Sequence, residues 1–200
     1  MIRLDAATVL LQWSVGGLFF LWVTTRSREV GIGYGWLLRS TYGLMAIAAA
    51  VLGFRYHRVW VREISSLAVV AATAVALAVS WTRRAAGVRH QREQSQARSA
   101  RITEMTGIDR AEQAFDESVP EFPPALDLVA PCLGVVGLVA GGVAAGTPVW
   151  LQVSRVLVGA LFLGCVTDAM LLGHWYLTQP GLPRRPLLEL VKWLTILWPF

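Results

Sequence analysis

The chain has 200 residues, of which 55% are hydrophobic and only 16% are charged. Soluble domains carry about 25% charged residues, so this composition is typical of a membrane protein and excludes an ordinary soluble domain. The net charge of +5 comes from arginines that lie mostly between apolar runs, a pattern that favours the lipid bilayer over nucleic acid as the partner.

Long apolar runs dominate the chain and predict an all-α, polytopic helical membrane protein. A helix needs roughly 20 apolar residues to cross a bilayer core of about 30 Å. Four runs carry no charged residue, and a fifth span, from Val149 to Tyr176, is interrupted only by Arg155 and Asp168. The uncharged runs are 6–25, 40–54, 64–82 and 128–154.

The first run has features of a retained signal-anchor span. It is longer than the apolar region of a cleaved signal peptide, and no small-x-small cleavage site follows it. Arg26 and Arg28 also place the positive flank after the run, which is the wrong side for a signal peptide. We therefore expect the first run to remain in the membrane.

The distribution of arginine predicts an orientation. With the N-terminus outside, twelve arginines fall in the cytoplasmic segments and four in the outer segments, as the positive-inside rule requires. The short loops 55–63 and 146–148 then face outward, while 83–124 and 178–186 are cytoplasmic. We predict a plasma (inner) membrane location.

One polar segment, 83–124, divides the chain into a three-span region (1–82), a cytoplasmic loop (83–124) and a C-terminal membrane region (125–200). The loop is basic first and acidic afterwards, and it is predicted to be partly helical. We expect the third helix to continue from Arg83 to Ser99 and a second helix from Ile108 to Glu117. The prolines between Val119 and Pro124 return the chain to the membrane.

The fourth span is rich in glycine. Gly137 with Gly141, and Gly142 with Gly146, form two small-xxx-small pairs, a spacing that lets helix backbones approach closely in lipid. We expect either packing within the chain or a homodimer through this face. Thr147 and Pro148 are the only residues left to connect it to the fifth span, which predicts a tight helical hairpin.

Two charged residues of the fifth span, Asp168 and Arg155, are candidate functional residues, because charges inside a membrane are costly. Arg155 is close enough to the outer surface to extend its side chain to the headgroups. Asp168 is deeper, and its short carboxylate needs a hydrogen-bond donor, a water-filled cavity or a proton. We leave both a structural hydrogen bond and a proton, ion or substrate site open for Asp168.

A polar and aromatic cluster near the end of the fifth span contains His174, Trp175 and Tyr176. It fits either an interfacial aromatic belt or a pocket for haem or quinone. No second histidine is expected at that depth, because His57 and His90 fall elsewhere. A metal site is not predicted, and Cys132 and Cys165 are expected to be buried thiols within spans.

The C-terminal stretch 187–200 is apolar but short for a span, so it predicts either an interfacial helix or a truncated sixth span. Segments 15–25 and 158–168 also resemble each other, and this similarity is a weak signal of an internal repeat of parallel spans. If the repeat is real, the chain is a fragment of a longer protein with repeated spans.

The sequence contains no catalytic motif that would identify an enzyme, and no catalytic residue is assigned. We interpret it as an integral membrane protein without a soluble catalytic domain. It would act as a subunit, scaffold or permease-like component of a membrane assembly, with other membrane subunits or a second copy as partners. The alternative is a redox-associated membrane subunit that places haem or quinone near His174.

Overall fold

The computed structural model describes residues 5–88, 93, 119–179 and 182–199. Over these residues the chain is all helical and contains no strand. Five helices are long and apolar enough to cross a membrane, which confirms the predicted all-α, five-span fold; the fourth of these spans includes a 3₁₀ turn at Pro124–Leu128. The helices are α1 (Ala6–Thr25), α2 (Ile32–Arg55), α3 (Trp60–Thr82), α4 (Val129–Ala144), α5 (Val149–Thr178) and α6 (Arg185–Leu197).

The first helix is the centre of the bundle. It packs against α2, α4, α5 and α6, and it is the most buried of the five spans. Helices α1, α3 and α5 run in one direction, and α2 and α4 run in the other. We call the end where α1 begins the Asp5 end, and the end where α1 passes into the α1–α2 loop the Arg28 end.

The second span begins eight residues earlier than the apolar run suggests, at Ile32 instead of Ser40. The prediction was too short because Arg39 was assigned to a loop. In the structure Arg39 is buried within α2, and its charge is neutralised by Asp127, which immediately precedes α4. A charge that is paired inside the protein does not end a span.

The third helix begins before its predicted span and lacks the predicted continuation beyond it. It begins at Trp60, so Arg62 and Glu63 belong to its first turn instead of the preceding loop. It ends at Thr82, where the 3₁₀ turn Arg84–Ala86 and the positive φ of Gly87 replace the expected continuation into a cytoplasmic helix. The rest of that predicted helix, apart from Glu93, and the helix 108–117 lie outside the described residues.

The glycines of α4 face three different surroundings. A Cβ atom on Gly137 would lie 2.6 Å from Oγ of Ser65, and one on Gly141 would lie 3.1 Å from the side chain of Thr8, so these two face α3 and α1. A Cβ on Gly142 would lie 2.8 Å from the Cα atom of Val153, which is in the partner helix of the hairpin. Gly146 is in the hairpin turn, where its φ of 124° favours glycine.

Helix α6 packs along α1 and α5. It starts at the Arg28 end, where Glu189 binds Arg26, and its Trp193 ring packs edge-on against Phe20 with a centroid distance of 5.7 Å. Near its end Trp198 packs against Phe162 of α5. The C-terminal helix therefore extends alongside the spans instead of standing apart from the bundle.

Candidate functional site

Asp168 lies at the centre of the bundle and is fully buried. The hydroxyl of Tyr42 donates a hydrogen bond to its Oδ1 atom. Its Oδ2 atom is buried and has no hydrogen-bond partner among the described residues. Buried polar atoms are almost always paired, so this carboxyl group has one oxygen with unused hydrogen-bonding capacity, as do Glu29, Arg39 and Thr73 at one atom each.

A second tyrosine of α2 approaches the same turn of α5. The hydroxyl of Tyr34 donates to the backbone carbonyl oxygen of Asp168 over 3.3 Å, and the side chain is fully buried. Its ring packs against Trp175, with 5.9 Å between centroids. Sequence reasoning did not predict Tyr34 or Tyr42. Their spacing of eight residues on one apolar helix was the available signal, because such residues share a face.

Glycines of α1 bring these groups together. A Cβ atom on Gly17 would lie 2.1 Å from the ring of Tyr42, so only glycine leaves room for that ring. A Cβ on Gly16 would lie 1.8 Å from the carbonyl oxygen of Ala160, and one on Gly164 would lie 2.1 Å from the carbonyl carbon of Gly16. The α1 and α5 backbones therefore touch one turn before Asp168.

No ion pair joins Asp168 to a lysine or arginine in the described part of the chain. An ionised carboxylate in a low-dielectric interior is costly without a cation, whereas a neutral carboxyl is tolerated. The arrangement at Asp168 is therefore suited to holding a proton. Oδ2 is the atom available for it, because Tyr42 occupies Oδ1.

Arg155 is far from this centre. It is exposed on α5, thirteen residues before Asp168, which corresponds to about 20 Å along a helix. Its exposure and its position near the start of α5 agree with a side chain directed to lipid headgroups or water. The structure does not bring Arg155 and Asp168 into one site.

The cluster near the end of α5 is divided by the helix. His174 is exposed, and its Nδ1 atom lies 2.8 Å from the carbonyl oxygen of Met170. Trp175 faces Tyr34, while the hydroxyl of Tyr176 donates to the carbonyl oxygen of Pro183. His57 is at the opposite end of the bundle, beside Asp5. The haem or quinone site near His174 stays a prediction.

A buried arginine network, which the sequence did not predict, joins three segments at the Asp5 end. Arg62 donates to Asp5 Oδ2 over 2.6 Å, to Thr8 Oγ1 over 2.9 Å and to Glu63 Oε1 over 2.6 Å. With two further bonds, to the His57 carbonyl and from Nε to Glu63, every guanidinium nitrogen is used. The network borders an open cavity of about 390 Å³.

Asp5 is ionised within this network. Partial burial opposes its ionisation, but the hydrogen bonds from Arg62 and Thr8 and the charge of Arg62 outweigh that cost. The pKa of Asp5 is therefore lowered from its ordinary value of 3.8. Its Oδ1 atom also caps α1 by accepting from the backbone N–H of Thr8 over 2.8 Å.

A second buried ion pair lies towards the Arg28 end. Arg39 binds Asp127 through Nε and Nη2, both over 2.8 Å, and the ring of Phe122 covers the guanidinium at 4.3 Å. Both side chains are at least 97% buried. This bidentate pair ties α2 to the turn before α4 and leaves Asp168 as the buried carboxylate without a cation among the described residues.

Comparison with protein-family models, with curated proteins and with solved structures gave no match to this chain. The functional argument therefore rests on the geometry of the bundle itself.

Proposed function

We propose that this protein is a proton-coupled, permease-like component of a membrane, with Asp168 as its proton-binding residue. The observation that carries the proposal is the carboxyl group of Asp168. It is fully buried, one oxygen accepts a hydrogen bond from Tyr42, and the other has no hydrogen-bond partner in the described part of the chain. An acidic side chain that is buried between apolar helices without a counter-charge lowers the stability of the protein. Such residues commonly serve proton or ion movement.

The other buried charges support this assignment by contrast. Arg39 and Asp127 neutralise each other, and Arg62 is saturated by Asp5, Glu63 and nearby oxygens. Each of those charges therefore has a counter-charge, although Nη1 of Arg39 has no hydrogen-bond partner among the described residues. Asp168 has neither a counter-charge nor a hydrogen-bond partner for Oδ2 among those residues.

The orientation proposed from the arginines places the Asp5 end outside and the Arg28 end in the cytoplasm of a cell with a plasma (inner) membrane. Cysteine substitutions at Tyr56 and Arg184, both exposed and at opposite ends, test it in a cysteine-free background. A membrane-impermeant thiol reagent should label Tyr56→Cys from outside intact cells. Labelling of Arg184→Cys instead would reverse the orientation.

A partner role is compatible with the same site. Helices α3 and α4 expose many apolar side chains, which fit lipid, another membrane subunit or a second copy of the chain. We propose that a scaffold or subunit role accompanies proton binding at Asp168, and we assign no partner.

The rate of proton movement across liposome membranes tests the proposed function. The purified protein is reconstituted around a trapped pH-sensitive dye, a pH step is applied, and a potassium ionophore compensates charge. We expect faster equilibration than in empty liposomes and loss of that excess in Asp168→Asn. Glu189→Gln is the control, since it removes a carboxylate that binds Arg26 and lies outside the site. Equal rates for wild type and Asp168→Asn, or for wild type and empty liposomes, would overturn the proposal.

A further inference from the structure

We propose that a groove between α2 and α3 binds one acyl chain of an anionic phospholipid, whose headgroup lies at Arg84. The groove is an open cavity of about 300 Å³ between the two helices. Its apolar lining includes Gly43, Leu44 and Ile47 of α2 and Val70, Ala74 and Leu77 of α3. The groove does not include Asp168, so lipid binding here goes beyond the proposed proton-binding role.

The groove lies on a face of the bundle that is open to lipid. Helix α2 packs mainly against α1 and α3, and α3 packs mainly against α2 and α4. In the described part of the chain no helix covers the edge of the groove, where Leu44 is 66% exposed and Ala74 is also exposed. Lipid tails are as apolar as these side chains and reach the groove from the bilayer.

Gly43 keeps the groove open in the middle of α2. A Cβ atom on Gly43 would lie 3.4 Å from the methyl group of Thr73, which is close to an ordinary van der Waals contact. Towards the Asp5 end the same helices are much closer, since a Cβ on Gly53 would lie 2.1 Å from Oε1 of Glu63. The groove therefore ends within the bilayer instead of crossing it.

The length of the groove favours a lipid over a membrane helix. From Trp81 to Val70 there are eleven residues, which correspond to about 16 Å along α3. One leaflet of a bilayer core of about 30 Å is about 15 Å deep. This length suits an acyl chain from the leaflet at the Arg28 end, whereas a spanning helix of a partner needs a contact surface about twice as long.

A pair of tryptophans marks the end of the groove. Nε1 of Trp36 donates to Oγ of Ser80 over 3.0 Å, and its ring packs against Trp81 with 4.9 Å between centroids. Trp36 is seven residues before Gly43, and Trp81 is four residues after Leu77, so each shares a helix face with the groove. Tryptophan is enriched at the level of the headgroups. The groove therefore begins where a phospholipid headgroup would lie.

Arg84 supplies a positive charge at this level. It is exposed, and its guanidinium carbon lies 4.9 Å from the centroid of the Trp81 ring. Among the described residues it forms no ion pair. A guanidinium binds phosphate oxygens well, and basic residues beside a span attract anionic lipids. Since Trp81 holds Arg84 beside the groove, one lipid can contact both the cation and the apolar walls.

Crosslinking with a photoactivatable phosphatidylglycerol tests the groove. The purified protein is reconstituted in phosphatidylcholine vesicles with a trace of phosphatidylglycerol that carries a diazirine in the middle of one acyl chain. Labelled residues are identified by mass spectrometry after illumination. We expect the groove residues to be labelled several-fold more than Val136, which is exposed on α4. Added phosphatidylglycerol should reduce this labelling far more than the same amount of phosphatidylcholine.

Two variants and their matched controls separate the parts of the site. Gly43→Leu fills the groove and should lower its labelling several-fold, whereas Gly173→Leu should not, because a Cβ there meets nothing within 4 Å. Arg84→Gln should remove the preference for phosphatidylglycerol. Arg58→Gln should keep it, since Arg58 packs on Trp60 at the same 4.9 Å but at the Asp5 end.

Several outcomes would overturn the proposal. Equal labelling of the groove and Val136, or wild-type labelling in Gly43→Leu, would reduce the groove to ordinary contact with bulk lipid. Equal competition by the two lipids, or equal effects of Arg84→Gln and Arg58→Gln, would contradict recognition of the headgroup by Arg84. Disulfide-linked dimers of Ala74→Cys in a cysteine-free background, with weak lipid labelling of the groove, would make a second copy of the chain the occupant.

Discussion

Tyr42 of α2 donates its hydroxyl hydrogen to Asp168 of α5, and the two residues meet across the central helix α1. The contact depends on Gly17, since any larger residue there would occupy the position of the Tyr42 ring. Three helices therefore share in positioning one hydrogen bond. Because α1 packs against both partners, a change in the α1–α5 crossing would also change the surroundings of the carboxyl group.

The crossing of α1 and α5 predicts a sharp difference between two glycines of the same helix. Gly164→Ala should destabilise the protein by about 1–3 kcal/mol or more, because the added methyl group overlaps the backbone of Gly16. Gly173→Ala is the matched control: a Cβ atom there meets nothing within 4 Å, and alanine favours the helix by roughly 0.5–1 kcal/mol. Thermal unfolding in detergent measures both, and equal effects would contradict the close crossing.

The span boundaries show which parts of the fold hydropathy predicts and why it misplaces the others. The five apolar runs were sufficient to predict five spans, yet Arg39 and Arg62 were assigned to loops. Their partners, Asp127 and Asp5, are 88 and 57 residues away along the chain. Hydropathy treats each charge by itself, so it cannot recognise a charge that the fold neutralises.

The candidate site was predicted only in part, for a similar reason. Asp168 was identified because an acidic residue in an apolar run is unusual whatever surrounds it. Tyr42 and Tyr34 were missed because their role depends on the rotation of α2 and on the position of Gly17. The sequence emphasised the glycines of α4, while the tightest backbone contact involves Gly16 and Gly164.

Acid should weaken the tie between α1 and α3. The folded pKa of Asp5 lies below the ordinary value of 3.8, so its contribution to stability is fully present above that value and is lost as the pH falls through the folded pKa. Asp5→Asn keeps the helix cap but removes the charge. We expect a difference in unfolding temperature between wild type and Asp5→Asn that is constant near neutral pH and shrinks in acid. A difference that does not change with pH would contradict this role of the charge.

The Arg39–Asp127 pair should behave as a buried structural tie. Asp127→Asn leaves a buried guanidinium without its counter-charge and should cost roughly 3–5 kcal/mol. The double variant Arg39→Met with Asp127→Leu removes both charges and should recover most of that loss. The free energy of unfolding in detergent is measured for wild type, Asp127→Asn and the double variant. If the double variant is less stable than Asp127→Asn alone, the pair contributes more than mutual neutralisation.

The carboxyl stretching band of Asp168 tests the central claim most directly. Infrared spectra of the purified protein near neutral pH are compared for wild type, Asp168→Asn, Tyr42→Phe and Tyr56→Phe, the last as a control at an exposed tyrosine. We predict one protonated carboxyl band that is absent in Asp168→Asn, shifts to higher frequency in Tyr42→Phe because Oδ1 loses its donor, and is unchanged in Tyr56→Phe. Identical carboxyl spectra for wild type and Asp168→Asn at every pH at which the protein is folded would contradict the account.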